Sequence, residues 1–244
     1  MSGPESPAPA GHRQLPLALR YPPDQRFDTF VTADDTVVAQ ARALAEGHAR
    51  ESLYLVGAAG SGKTHLALAA CAQAEAQGRS AAYVTAGAAA GRLRDALEGL
   101  HASGLIALDG IDALAGHRED ELALFDFHNR VHDAGKQLLY TARRLPDALG
   151  LDLPDLRSRL SKCVRIALSP LDDEDRRELL RLRAQRRGLQ MDAAALDWLL
   201  RHVDRDLAGL AALLDTLDRA SLAAQRRVTV PFLRKVLEVR VKAD

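Results

Sequence analysis

The stretch Gly57-Ala58-Ala59-Gly60-Ser61-Gly62-Lys63-Thr64, GAAGSGKT in one-letter code, decides how this sequence folds. It follows the pattern G-x-x-x-x-G-K-[ST], in which glycines let backbone N–H groups curl around phosphate oxygens and the lysine pairs with β- and γ-phosphates. The threonine hydroxyl is offered to Mg²⁺, and the helix that follows adds a positive dipole. An apolar run at residues 53–56 precedes the glycines, and a helical pattern follows them. The sequence therefore predicts a strand, a phosphate-binding loop and a helix, with a nucleotide held by Gly57, Gly60, Ser61, Gly62, Lys63, Thr64 and the next residue, His65.

Strand and helix patterns alternate over the first two thirds of the chain. Further apolar runs typical of buried strands lie at residues 81–85, 105–108 and 138–141. After Pro170 only helical patterns remain, the first of them capped by Asp172. The sequence thus predicts an α/β fold, with a parallel sheet flanked by helices over residues 21–169 and a small α-helical domain over residues 170–244.

The composition excludes two classes of protein. Of the 244 residues 47% are hydrophobic, which is enough for a sizeable core. The 33 basic and 33 acidic residues cancel, so a broad electrostatic grip on DNA or on an anionic membrane is not expected. No apolar run reaches the ~20 residues of a membrane helix and no leader pattern is found, which predicts a soluble, cytoplasmic protein. We expect Cys71 and Cys163 to be buried and reduced.

A carboxylate follows the third apolar run, in the segment LIALDGIDAL. Asp109 ends what we expect to be a neighbouring strand, where a nucleotide site of this kind holds Mg²⁺ together with Thr64. The next residue is Gly110, whereas many such ATPases have a glutamate there that polarises the attacking water. We therefore expect slow chemistry on the bound nucleotide. Asp112 could act as the base only if its loop returned to the site; otherwise it is a cap or a solvated charge.

Three further polar residues are candidates for contact with a nucleotide. Thr141 ends the next strand, either as a polar sensor of the γ-phosphate or as an ordinary strand residue. Arg157 and Arg159 lie in DLRSRLSKCVRI, which we take as a loop before the last strand. One of them could point to a phosphate on a neighbouring molecule, where an arginine accelerates phosphoryl transfer by ~10³ to 10⁵. A loop arginine is more often an ordinary surface residue.

The first 20 residues have a composition of their own. Residues 1–13 are rich in Pro, Ala, Gly and Ser without periodic apolar residues, which predicts a disordered tail. The hexapeptide QLPLAL follows at residues 14–19 and is too short and too proline-rich for a helix. An extended peptide of this kind can place alternating aliphatic side chains in a partner's groove, or it can pack on its own domain.

Five segments carry a resemblance to a known family: GAAGSGKTHLALAA, LIALDGIDALAG, FDFHNR, LPDLRSRL and LDRASLAAQRRVTVPFLRKVL. Together they resemble the AAA+ module of the bacterial initiator DnaA and, more closely, the shorter, DnaA-related Hda family. The resemblance runs from about Gln14 to the C-terminus. It implies an AAA+ P-loop module followed by a helical lid domain. It also implies that the protein binds ADP (or ATP) with Mg²⁺. DnaA continues into a helix-turn-helix domain, whereas this chain stops at Asp244, so origin recognition is not expected.

The resemblance also implies roles for single residues. Arg159 matches the arginine finger that the family offers to ATP on DnaA. Arg205 matches the lid arginine that contacts the protein's own nucleotide, with a solvated charge as the alternative. Tyr21, Phe27 and Phe30 precede the first helix, where relatives build part of the adenine pocket, although aromatic residues here can equally belong to the core.

Partners follow from the same resemblance. In the Hda family the N-terminal hexapeptide docks on the β sliding clamp of the replicative polymerase, and this chain matches its Q-L-x-L-x-L form at Gln14, Leu15, Leu17 and Leu19. The implied function is a clamp-associated regulator that, with ADP bound, stimulates hydrolysis of DnaA-bound ATP and so limits replication initiation. Such a protein contacts DNA only through the clamp and does not contact a membrane. The resemblance leaves the oligomeric state open, a homo-oligomer included. The alternatives are a self-sufficient ATPase that loads or remodels a replication protein, and a DNA-binding initiator.

Overall fold

The computed structural model describes residues 21–22, 24–32, 34–202, 207–224 and 227–241, and the predicted α/β fold is confirmed. The strands are β1 Leu53–Gly57, β2 Ala81–Thr85, β3 Leu105–Asp109, β4 Gln137–Ala142 and β5 Val164–Leu168. The helices that accompany them are α1 Asp35–Ala45, α2 Lys63–Ala76, α3 Ala86–Ala89, α4 Leu93–Leu97, α5 Arg118–Asp133 and α6 Pro154–Ser161. The helices that follow are α7 Asp173–Arg186, α8 Ala193–His202, α9 Leu207–Ala224 and α10 Val230–Val241. Short 3₁₀ turns lie at Phe27–Thr29, Leu100–Ala102, Ile111–Leu114 and Pro146–Ala148.

The five strands form one parallel sheet in the order β2-β3-β4-β1-β5. Because parallel strands bring their carboxyl ends to the same edge, the loop after β1, Asp109 at the end of β3 and Thr141 in β4 share one edge of the sheet. Thr141 is opposite Leu55 of β1. β4 lies between β1 and β3, so the expectation that Asp109 ends a strand next to β1 was wrong. Thr141 is therefore placed between the phosphate-binding loop and Asp109.

Helices cover both faces of the sheet and hold this edge in place. On one face α1 and α2 pack against the strands, and Leu44 and Leu66 are fully buried there. On the other face α4, α5 and α6 pack in the same way, around Phe127. Each large apolar side chain that is fully buried contributes ~1.5–3 kcal/mol to stability. The two layers together fix the strand ends that carry the candidate site residues.

The four helices after residue 170 have a core of their own. Leu199, Leu214 and Leu233 are buried together in it. Asp172 caps α7 by accepting a hydrogen bond from the backbone N–H three residues on, at 2.8 Å. Asp192 does the same for α8 at 2.7 Å. Local caps and a shared apolar core therefore define this helical part.

The segment before the last strand is a helix, so the prediction of a loop there was wrong. α6 begins at Pro154, a favoured first-turn residue, and buries Leu156 and Leu160 one turn apart. Arg157 and Arg159 therefore lie on a helix, where positions two apart point roughly 200° away from each other. Eight residues with two apolar positions show too little periodicity to predict this helix from the sequence.

A buried carboxylate anchors the start of α6. Glu121 on α5 accepts hydrogen bonds from the backbone N–H groups of Asp152 at 3.1 Å and Leu153 at 2.8 Å, the two residues before the helix. It also accepts from the N–H of Gly116 at 3.0 Å. Since Glu121 is fully buried, these bonds are shielded from water and hold α6 firmly against α5.

Both cysteines are free and buried, as predicted. Burial raises the pKa of the Cys71 thiol and of the Cys163 thiol to about 12, so neither forms a reactive thiolate near neutral pH. None of the helices in the described part of the chain is long and apolar enough to cross a membrane.

Candidate functional site

The phosphate-binding loop runs from the end of β1 into the start of α2. Gly60 and Gly62 have φ angles of 76° and 91°, which favour glycine over other residues. A Cβ on Gly62 would lie 2.6 Å from Cε2 of Phe30, so that ring rests directly on the loop. A Cβ on Gly57 would overlap the carbonyl oxygen of Leu168 on β5. The glycines thus allow both the turn of the loop and the close contact with Phe30 and Leu168. The free N–H groups at the start of α2 follow directly after the loop.

Lys63 is folded back over the loop. Its Nζ donates to the carbonyl oxygens of Gly57 and Ala58, each at 2.7 Å. Burial lowers the pKa of Lys63, while the nearby carboxylates of Asp112 and Asp109 act in the opposite direction. A phosphate oxygen carries negative charge and so binds an ammonium group more strongly than a carbonyl does. The lysine is therefore placed to exchange these carbonyls for an anion.

Asp109 is the centre of a hydrogen-bonded cluster. Its Oδ2 accepts from the hydroxyl groups of Thr64 at 2.9 Å and Tyr83 at 2.7 Å, and its Oδ1 accepts from that of Thr141 at 2.5 Å. The N–H of Gly110 donates to the Thr141 hydroxyl at 2.8 Å. Tyr83 is a member of the site that the sequence did not reveal, because only the pairing of β2 with β3 brings it there.

Thr64 and Asp109 together offer two oxygen ligands to a cation. Mg²⁺ usually takes one or two protein oxygens and fills its remaining positions with water and phosphate oxygens. No group of three or more His, Cys, Asp or Glu side chains in the described part of the chain could hold a metal ion alone. The pair therefore fits a Mg²⁺ that arrives with a nucleotide rather than a resident metal.

Asp112 is occupied by a backbone contact. It lies in the 3₁₀ turn Ile111–Leu114, and its two carboxylate oxygens accept from the N–H of Arg143 at 3.0 and 2.9 Å. These bonds connect the turn after β3 to the residue that follows β4. The observed contact corresponds to a structural cap.

A cavity of about 500 Å³ opens beside the loop, a size typical of small-molecule sites. Three parts of the chain form its walls: the phosphate-binding loop, the segment before α1, and the helices α7 and α9. The lining residues are Pro22, Asp24, Gln25, Phe30, Val31, Gly60, Ser61, Gly62, Lys63, Thr64, His65, Leu171, Leu179, Arg183, Arg187 and Asp215.

His65 joins α2 to the segment before α1. Its Nε2 is 2.9 Å from the carbonyl oxygen of Arg26, which makes this nitrogen the N–H donor, and its ring meets Phe30 edge-on with centroids 5.2 Å apart. Burial lowers the pKa of His65 to about 4, so the ring is neutral near pH 7. His65 is therefore an uncharged part of the cavity wall, held in place by its contact to Arg26.

The three aromatic candidates before α1 have different surroundings. Phe30 lines the cavity. Tyr21 and Phe27 are buried in the core beside α1 and α2. The Tyr21 hydroxyl donates to Glu75 at 3.3 Å, and the guanidinium of Arg42 lies 4.9 Å from the centre of the Phe27 ring. For these two residues the contacts correspond to the core interpretation.

The end of α7 and the residue after it contribute two arginines that the sequence did not single out. Arg187 forms ion pairs with Asp24 in the segment before α1 and with Asp215 on α9, the latter at 2.8 Å. Arg183, one turn earlier, is 5% exposed and lines the cavity. Arg205, the expected lid arginine, lies outside the described residues. So do the hexapeptide residues Gln14, Leu15, Leu17 and Leu19.

Arg159 lies on α6 and is not among the residues that line the cavity. It forms no ion pair with any residue that the structure describes, whereas Nε of Arg157 is 4.0 Å from Asp147. Its positive charge adds to burial in lowering the pKa of His128 on α5 to about 4. The arginine is thus held beside a neutral histidine, with its charge uncompensated by a carboxylate in the described part of the chain.

Two family models match this chain. The family model of the bacterial DnaA ATPase domain matches residues 22–167, which is more than half of the sequence. The chain belongs to the DnaA ATPase family. A second model, of the Hda lid domain, matches residues 173–237. This member of the DnaA family is therefore an Hda-like AAA+ protein with an Hda-type lid, and the resemblance seen in the sequence is confirmed.

Solved structures support the same fold. Domain III of the Thermotoga maritima replication initiation protein DnaA matches with a TM-score of 0.75 at 22% identity, over 89% of this chain and 97% of that chain. AMPPCP-bound DnaA from Aquifex aeolicus matches with a TM-score of 0.66 at 21% identity, over 80% and 66%. The Thermotoga maritima RuvB Holliday junction branch migration motor matches with a TM-score of 0.64 at 17% identity, over 88% and 72%. At such identities these likenesses establish the AAA+ fold that this DnaA-family chain shares with them.

Proposed function

We propose that this chain is a clamp-associated regulator that, in its ADP-bound form, presents Arg159 to ATP held by DnaA and accelerates hydrolysis there. The proposal rests on one observation: the chain has no glutamate directly after Asp109 to act as the general base. Gly110 follows Asp109, and both oxygens of Asp112 accept from a backbone N–H. A chain with a phosphate-binding loop but no glutamate directly after Asp109 is better suited to holding a nucleotide than to hydrolysing it.

The nucleotide would act as a conformational ligand. Lys63 would exchange its two carbonyl partners for phosphate oxygens, and Thr64 with Asp109 would hold the Mg²⁺ that accompanies them. A related protein, DnaA from Aquifex aeolicus, has been solved with AMPPCP, which supports an adenine nucleotide as the ligand. Because the cavity is walled by both the loop and α7, a nucleotide in it would stabilise one arrangement of the lid.

Arg159 would act on a nucleotide that belongs to another protein. It is absent from the lining of its own cavity and has no ion pair in the described part of the chain, so it is free to meet a phosphate. Glu121 fixes the start of α6, which gives Arg159 a defined position. An arginine supplied in trans accelerates phosphoryl transfer by ~10³ to 10⁵ in comparable systems because it stabilises charge in the transition state.

The sliding clamp would be bound by the hexapeptide at residues 14–19. This segment precedes the described residues, and its alternating aliphatic side chains suit an extended peptide in an apolar groove. Contact with DNA would then be indirect. The neutral overall charge supports this arrangement, because a protein that binds DNA directly commonly gains affinity from an excess of basic residues.

The test is hydrolysis of ATP bound to DnaA in the presence of ADP and DNA-loaded clamp. We expect the wild-type chain to accelerate hydrolysis, and both Arg159→Ala and Gln14→Ala to abolish the acceleration. Arg157→Ala is the matched control, since it removes an arginine from the same helix on a different side. Circular dichroism of each variant confirms that the fold survives.

Two outcomes would overturn the proposal. If Arg157→Ala abolishes the effect and Arg159→Ala does not, the finger is misassigned. If the wild-type chain leaves DnaA-bound ATP untouched and turns over ATP alone, a self-sufficient ATPase that loads or remodels a replication protein replaces the regulator.

A further inference from the structure

Three hydroxyl groups donate to one carboxylate at the sheet edge, and one of them comes from outside the cavity. Asp109 is buried and accepts from the side chains of Thr64, Thr141 and Tyr83. Thr64 belongs to the phosphate-binding loop, and Thr141 lies on β4, next to β1. Tyr83 lies on β2, the outermost strand, and is not among the residues that line the cavity. Any role of Tyr83 at the site therefore depends on Asp109.

The pairing of β2 with β3 brings the Tyr83 hydroxyl to the carboxylate. Tyr83 is opposite Ala107, and Asp109 lies two residues further along β3, where side chains point to the same face. Such a diagonal is within the reach of an aromatic side chain. The Tyr83 hydroxyl is 2.7 Å from Oδ2 of Asp109. Tyr83 thus holds the carboxylate from the side of β3 that is turned away from β1 and its loop.

The three donors leave the carboxylate one place for a further contact. An ionised carboxylate has about four lone-pair sites on its two oxygens. Thr64 and Tyr83 occupy those of Oδ2, and Thr141 occupies one on Oδ1. Burial, followed by the bond to Asp109, raises the pKa of Tyr83, so the phenol stays protonated and acts as a donor. Among the contacts of the described residues, a site on Oδ1 is left for a cation or for a water molecule bound to a cation.

The direction of that remaining site depends on what holds Oδ2. The last torsion of an aspartate side chain has broad minima, so hydrogen bonds rather than the torsion itself fix the carboxylate plane. Without the phenol, Oδ2 would be held by Thr64 alone, whose own oxygen is offered to the cation. Partners of this kind orient metal-binding carboxylates, and their removal typically lowers metal affinity by ~10- to 100-fold.

We propose that Tyr83 is a positioning residue of the cation site: its hydroxyl holds the Asp109 carboxylate ready for the Mg²⁺ that accompanies a nucleotide. This inference rests on the proposed binding of an adenine nucleotide with Mg²⁺. It adds a residue of the outermost strand that sets how strongly the cation is held. Tyr83 acts through Asp109 and is not itself a ligand of the cation.

The experiment measures how much Mg²⁺ strengthens the binding of ADP. Calorimetry gives the affinity for ADP in excess Mg²⁺ and in EDTA, and the ratio of these two affinities is the Mg²⁺ enhancement. Tyr83→Phe keeps the aromatic ring and removes only the hydroxyl. We expect this substitution to reduce the Mg²⁺ enhancement about tenfold, because Asp109 loses the donor that orients it.

Two further variants separate positioning from a purely structural role. Tyr54→Phe is the matched control, since the hydroxyl of this buried tyrosine on β1 donates to the Arg144 carbonyl at 2.8 Å and does not contact Asp109. It should lower stability in urea denaturation but keep the wild-type enhancement. Asp109→Asn should abolish the enhancement, and adding Tyr83→Phe to it should cause no further change, since the two residues act as one unit.

The outcomes distinguish this inference from the proposed function. If Tyr83→Phe weakens ADP equally in Mg²⁺ and in EDTA, or lowers only the stability, the positioning role is wrong while nucleotide binding stands. A larger enhancement in Tyr83→Phe would also overturn it, because the hydroxyl would then compete with the cation. If the wild-type chain binds ADP under neither condition, the proposed function itself fails and the inference fails with it.

Discussion

The neutral state of His65 makes a quantitative prediction about pH. Burial holds the pKa of His65 at about 4, whereas a histidine in an unfolded chain titrates near 6.5. Between these values the unfolded chain binds a proton that the folded protein does not. The free energy of unfolding therefore falls as the pH drops from 6.5 toward 4 and levels off below that. For one such group the loss between pH 7 and pH 5 is about 2 kcal/mol.

The substitution His65→Gln isolates this contribution. The amide nitrogen of glutamine can take the place of Nε2 and donate to the Arg26 carbonyl, and it does not titrate. In urea denaturation at pH 7, 6 and 5 we expect the acid-induced loss to be smaller than in wild type by about 2 kcal/mol. Part of the loss remains because burial also lowers the pKa of His128 to about 4. His101→Gln, at an exposed position, is the matched control and should keep the wild-type profile. Identical profiles for His65→Gln and wild type would refute the reasoning.

Three further substitutions test contacts in the site. Gly62→Ala combines a clash with the Phe30 ring and a left-handed φ. It should weaken ADP binding at least about tenfold and lower stability in urea denaturation by ~1–2 kcal/mol. A variant that binds ADP as tightly as wild type would show that the ring can move aside. Thr141→Val keeps the shape but leaves the Gly110 N–H without its acceptor, at a cost of ~1–3 kcal/mol in the same assay; an unchanged midpoint would mean that the hydroxyl is idle. Arg187→Met removes the ion pairs with Asp24 and Asp215 and should lower the unfolding free energy by ~1–3 kcal/mol. The loss should be smaller at 1 M salt than at low salt, because salt screens the charges. Equal losses at both salt concentrations would show that lost packing is the cause.

The parts of the fold that the sequence predicts well are those in which local pattern and tertiary role agree. A glycine loop before Lys63 and Gly78 shortly after Ala76 are recognisable in the sequence, and α2 has these bounds. The helical pattern at residues 36–49 predicts a longer α1, whereas the helix ends at Ala45. There Gly47 adopts a φ of 80°, and Arg79, from beyond α2, donates to carbonyl oxygens at the helix end. That long-range contact has no local signal.

Some residues of the candidate site are predictable from the sequence and others are not. Thr64 and Asp109 could be paired from the sequence because a loop motif and a strand-end carboxylate are recognisable in isolation. Tyr83 could not, since its contact depends on strand order. Gln25 and Arg183 lie far apart in the sequence, and nothing near either of them indicates a shared cavity. Residues placed by tertiary packing alone are the ones that a reading of motifs misses.

The segment at residues 21–32 has a double position in the molecule. It is a wall of the cavity, held by His65 and by the ion pair to Arg187, and it is also where the described chain continues from the hexapeptide. Any partner that shifts this segment when it binds the residues before it changes the cavity, and any ligand that fills the cavity changes the segment. Thermodynamic reciprocity then requires each to alter the affinity of the other by the same factor. Binding at one of these two sites would change the affinity of the other without a separate signalling element.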